Sequence, residues 1–88
     1  MNVEQAVIRI IDDVLSLRGR GANFTRRTEL LGAVPEFDSM AVVALVAALE
    51  EQLGISIEDD EISAATFASV GSLVDFVTDK LGERTPTS

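Results

Sequence analysis

The sequence predicts an all-α protein: a four-helix bundle made of three main amphipathic helices and one short helix. Three observations carry that prediction. Apolar residues recur at the i, i+3, i+4, i+7 spacing of a helix face in three separate stretches. No stretch shows the two-residue alternation of a half-buried strand. Cap-forming residues or glycines punctuate the ends of the periodic stretches. A chain of 88 residues makes one small domain. Its expected extent is residues 1–82, with residues 83–88 a flexible tail.

Residues 2–18 form the first predicted helix, with Val3, Ala6, Val7, Ile10 and Val14 on one face and Ile11 and Leu15 widening it. Gly19 and Gly21 are expected to end it. Residues 19–37 form a long connection, in which Thr28-Glu29-Leu30-Leu31 suggests one turn of helix plugging an end of the core. Phe24, Leu30, Leu31, Val34 and Phe37 argue that this loop is packed. The second helix covers residues 39–53, with Val42, Leu45, Val46, Leu49 and Leu53 towards the core and Gly54 as its stop. Ile55 and Ile57 should be buried, and a short helix is expected over residues 60–65. Ala64, Ala65, Phe67 and Ala68 would then close one side of the core. The last helix covers residues 70–81, capped by Ser69 and stopped at Gly82, with Val70, Leu73, Val74, Val77 and Leu81 inward.

Composition removes whole classes of function. The absence of cysteine rules out disulfides and thiolate metal sites, and the absence of histidine removes the commonest general base and metal ligand. No Ser-His-Asp or Cys-His arrangement can be built, which argues against a self-sufficient enzyme. The net charge is −8, and residues 28–79 hold eleven acids and no base. Nucleic acid needs clustered Lys and Arg, so a basic protein surface is the better-matched partner. No run approaches the roughly 20 apolar residues of a membrane span. The start Met-Asn-Val-Glu-Gln has no basic and apolar leader, so a soluble, cytoplasmic monomer is expected. Glu58-Asp59-Asp60-Glu61 lacks the alternate acids, central glycine and final glutamate of an EF-hand, so no metal site is expected there.

The candidate site lies at the start of the second helix. Asp38 is a suitable N-cap, which places Ser39 at the first helical position. Pro35 keeps the helix from starting earlier, and Phe37 with Val42 can form a hydrophobic staple. A phosphate on Ser39 would sit beside the positive end of the helix dipole and its unpaired N–H donors. Beyond it, Met40, Val43, Ala47, Glu50 and Glu51 share a second face with Ala44, apolar near the serine and acidic further on. That face suits transient protein docking, though it would look the same if it were simply buried.

Leu31-Gly32, Asp38-Ser39-Met40, Leu45-Val46-Ala47-Ala48-Leu49-Glu50-Glu51, Ile57 and Asp59-Asp60-Glu61 together resemble the acyl carrier protein family. The resemblance covers roughly residues 3–81. It implies a four-helix bundle whose serine at the start of helix two receives 4′-phosphopantetheine from coenzyme A, added by a Mg²⁺-dependent phosphopantetheinyl transferase. It assigns the attachment to Ser39 and the presentation of the transferase's metal ion to Asp38. It also implies an acyl pocket, for which Leu45, Val46, Leu49, Ile57, Phe67 and Leu73 are the candidates here. Ala41 and Ala44 stand where the family often has acids. Docking is therefore expected to use basic or apolar patches on acyl-loading and acyl-transferring enzymes, in a dedicated lipid, polyketide or exopolysaccharide-linked pathway. The Gly-Gly-x-Ser of peptidyl carriers is absent from Glu36-Phe37-Asp38-Ser39.

The residues fit a passive carrier. Activated acyl groups travel as thioesters, and a chain without cysteine must receive its thiol with the cofactor. Three other readings stay open at this level: an unmodified acidic helical adaptor, a carboxylate enzyme using Asp38 with Glu36, and a phosphorylation switch at Ser39.

Overall fold

The computed structural model describes residues 2–35 and 37–84. It contains three α-helices: α1 (Val3–Leu15), α2 (Ser39–Leu53) and α3 (Val70–Arg84). Two 3₁₀ turns, Arg20–Asn23 and Asp59–Glu61, lie in the connections. Helix α1 packs against both α2 and α3. One apolar cluster joins all three, drawing on Val7, Ile10 and Ile11 from α1, Leu45 and Leu49 from α2, and Leu73 and Val77 from α3.

Asn2 caps α1, its side-chain oxygen accepting the Gln5 N–H at 3.0 Å. The helix stops three residues earlier than the expected residue 18, because Ser16 takes the left-handed conformation at φ 54°. The two glycines have a different role from the expected stop. The Asp12 carboxylate accepts the Gly21 N–H at 2.9 Å and the Gly19 N–H at 3.1 Å, which curls the chain back under α1. A Cβ on Gly21 would stand 2.8 Å from Asp12 Oδ2, so the close approach needs glycine. The curl buries Leu17 to 2% exposure, a core position that no helical stripe includes.

The connection into α2 corrects the expected turn of helix at residues 28–31. Residues 28–30 instead pair through a single bridge with the backbone ahead of α3, and a turn begins at Leu31. Leu30 and Leu31 donate to the carbonyls of Ala68 and Phe67 at 2.9 and 3.2 Å, and Val70 and Gly71 donate to those of Thr28 and Arg26, both at 2.9 Å. The only bridge among the described residues, Glu29 with Ser69, lies between them. Partnering another backbone satisfies these polar groups as a helical turn would, and it points alternate side chains apart. Leu30 is therefore fully buried while Leu31 is 40% exposed. Gly71 is needed here too, since a Cβ would meet the Arg26 carbonyl oxygen at 2.8 Å.

Helix α2 begins and ends where expected, with Asp38 and Gly54 as its caps. Leu45, Val46 and Leu49 are buried, while Val42 and Leu53 at the two ends are half-buried. The short helix expected over residues 60–65 is instead the 3₁₀ turn Asp59–Glu61. Glu58 and Glu61 cap each other across that turn, which closes it after three residues. Ala64, Ala65 and Ala68 are exposed, so of the four residues expected to cover the core only Phe67 does so. Ser69 caps α3 as expected, its hydroxyl accepting the Ser72 N–H at 3.1 Å. The helix continues through Gly82 to Arg84, so that glycine is not its stop. Residues 83 and 84 belong to α3, and the rest of the expected tail lies outside the described residues.

Candidate functional site

Ser39 is exposed at the first position of α2. Asp38 Oδ1 accepts the Ala41 N–H at 2.9 Å, and the Asp38 carbonyl accepts the Val42 N–H at 3.0 Å. The N–H groups of Ser39 and Met40 precede the first helical hydrogen bond and have no partner within the helix. An anion tied to Ser39 would therefore meet two donors and the positive end of α2. The Asp38 carboxylate is exposed and the cap bond uses its Oδ1, so a carboxylate of this kind has capacity for a further partner. Glu36, the other acid weighed for carboxylate chemistry, lies outside the described residues.

The face next to the serine is open. Met40 is 76% and Val43 66% exposed, and Ala44, Ala47 and Glu51 are exposed with them. Leu31 adds a further exposed apolar side chain. Its apolar character argues for a packed position in the loop, whereas the structure leaves it exposed at the start of a turn. Glu50 is different from its neighbours on this face. It is half-buried, and its Oε2 accepts the Ile57 N–H at 2.7 Å, which ties the loop after α2 back to the helix.

The six pocket candidates, Leu45, Val46, Leu49, Ile57, Phe67 and Leu73, are all buried in the one apolar cluster. Phe37, directly before the cap of α2, packs on Phe67 with ring centroids 6.0 Å apart. At the opposite end of α3, the Lys80 ammonium lies 2.6 Å from Glu61 Oε1. The hydrogen bond from Lys80, joined by one from the Glu58 N–H, holds the Glu61 carboxyl below its usual range. Nothing in the helical stripes signals this pair, because it joins segments far apart in the sequence.

The phosphopantetheine attachment site family matches residues 36–77 of this chain. The solution NMR structure of a holo acyl carrier protein from Nitrosomonas europaea is 50% identical over 93% of this chain and 99% of that one, with a TM-score of 0.86. The chain belongs to the acyl carrier protein family. An acyl carrier protein is not itself a catalyst, and its cofactor is covalently held 4′-phosphopantetheine. The α2 start fits that group: an exposed hydroxyl, a committed N-cap and two N–H donors for the phosphate. Carriers work with a phosphopantetheinyl transferase and with acyl-handling enzymes. Among the described residues of this carrier, no helix is long and apolar enough to cross a membrane.

Proposed function

We propose that Ser39 carries the 4′-phosphopantetheine arm and that the protein holds acyl groups on it as thioesters, presenting them to partner enzymes in the cytoplasm. The observation that carries this reading is the exposed serine at the first position of α2, directly after an N-cap aspartate. Ser39 has no histidine to activate it anywhere in the chain, and Asp38 is engaged with Ala41. Proton removal from the serine hydroxyl therefore falls to the transferase. Asp38 keeps an oxygen for the transferase's metal ion while it holds the helix start in place. The arm supplies the thiol that the chain lacks.

The partners belong to a dedicated lipid, polyketide or exopolysaccharide-linked pathway. Support comes from the first turns of α2, where Met40, Val43, Ala44 and Ala47 are exposed and no acid intervenes before Glu50. Glu50 is partly engaged with Ile57, so the acids left for docking are Glu51 and the exposed Glu58, Asp59 and Asp60. Partners that grip an acidic helix close to the serine lack their handle here. The holo protein, offered to the malonyl-loading transferase of fatty-acid synthesis, should be loaded at least about tenfold less efficiently than a fatty-acid carrier. Equal efficiency would remove the argument for a dedicated pathway.

A further inference from the structure

Ile8 sits at the edge of the apolar stripe of α1 and is only half-buried. Phe24, in the chain that folds back after the helix, is half-buried too. Both line an open groove of about 470 Å³ whose walls are α1 and residues 19–24. A second depression of about 290 Å³ shares Gln5 and Arg9 with it and reaches Asn2. From Asn2 to Asp13 is eleven positions, so the trough follows α1 for about 16 Å at about 1.5 Å per residue. No residue of α2 lines it.

The wall opposite α1 is fixed before anything binds. The Asp12 carboxylate accepts the Gly19 and Gly21 N–H groups at 3.1 and 2.9 Å. Within the turn, Ala22 donates to the Gly19 carbonyl at 3.0 Å and Phe24 to that of Gly21 at 2.9 Å. A wall held in this way loses little freedom when a ligand docks. The charged lining is Glu4, Asp12 and Asp13 against the single base Arg9. Among the described residues, neither Arg9 nor Asp13 has an ion-pair partner.

We propose that this trough is a second docking surface, for a basic segment of a partner protein that seats one large apolar side chain between Ile8 and Phe24. Three features choose that occupant. The excess of acids along the trough is complementary to Lys or Arg. Ile8 and Phe24 give an apolar anchor something to bury against, and the small Ala22 leaves it room. The length fits about three helical turns or about five extended residues, which is the shape of a chain segment. Since the trough uses no residue of α2, a partner held there does not compete for the face that presents Ser39.

The test titrates a short blocked synthetic peptide, one Phe among Lys and Ala, into the isotope-labelled full chain and follows the amide shifts by NMR. Shifts should move in residues 4–13 and 19–24. Replacing every Lys of the peptide by Glu, or its Phe by Ala, should weaken Kd at least about tenfold. Ala22→Arg fills the groove and reverses its charge without removing a core contact, and should also cost about tenfold. Asp13→Asn should cost about threefold. Asp79→Asn, the same charge change at an exposed position of α3, should cost nothing. Ser39→Ala should bind as the wild type does, so loss of the carrier reading would leave the trough standing. No binding, shifts centred on Met40 and Val43, or equal losses in Asp13→Asn and Asp79→Asn would overturn the proposal. Equal affinity for phenylethylammonium alone would make the trough a small-molecule site and overturn it as well.

Discussion

The Phe37 and Phe67 rings lie 6.0 Å apart at an interplanar angle of 58°. This tilted contact joins the residue that precedes the α2 cap to the segment that leads into α3. Phe67 has a second tie to the same region, because its carbonyl accepts the Leu31 N–H at 3.2 Å. The start of α2 is therefore tied to residues nearly thirty positions away, and Phe67 is where the loop before Ser39 meets the core.

Phe67→Ala should cost about 3–5 kcal/mol, since the ring is 2% exposed and its removal leaves a cavity in the core. Urea melts read this directly. A loss near zero would mean that Phe67 does not hold the two segments together.

Two glycines of α3 should respond with opposite signs. Gly71→Ala puts a methyl 2.8 Å from the Arg26 carbonyl and should destabilise by about 1–3 kcal/mol. Gly82→Ala meets nothing within 4 Å and should stabilise by about 0.5–1 kcal/mol through helix propensity. Equal effects in thermal melts would contradict the close backbone approach at Gly71.

Met40→Asp and Val43→Asp should leave stability within about 0.5 kcal/mol of wild type, because both side chains point into solvent. Acyl transfer by the natural partner should nevertheless slow. Unchanged transfer rates in both variants would take this face out of the docking surface.

Glu61 gives a pH dependence of known sign. Lys80 and the Glu58 N–H lower its folded pKa from the ordinary 4.5. The stability it contributes is complete above that value and is lost as pH falls through the lower, folded one. The difference between wild type and Glu61→Gln should thus be constant near neutrality and shrink below about pH 4.5. A difference that grew in acid would reverse the assignment.

The sequence shows the helices well because each buries one face, and burial leaves a periodic trace. Helix α2 is legible from Asp38 to Gly54 for that reason, and Ser39 with it. The connections are a different matter. Leu17 is buried by the curl around the Asp12 carboxylate, and Leu31 is turned out by pairing with Phe67; both depend on partners that no local pattern names. The stretch after α2 shows the same limit. Glu50 and Glu51 look alike in sequence, yet only Glu50 is drawn back to a backbone N–H. Lys80 reads as a residue near a helix end, and its pairing with Glu61 emerges only when α3 lies beside the 3₁₀ turn.

Intact mass before and after incubation with coenzyme A, Mg²⁺ and a phosphopantetheinyl transferase tests the carrier account most directly. Wild type should gain one 4′-phosphopantetheine and Ser39→Ala none, with helicity unchanged between the two. An arm that still appears on Ser39→Ala, or a folded wild type that takes up nothing, would contradict it.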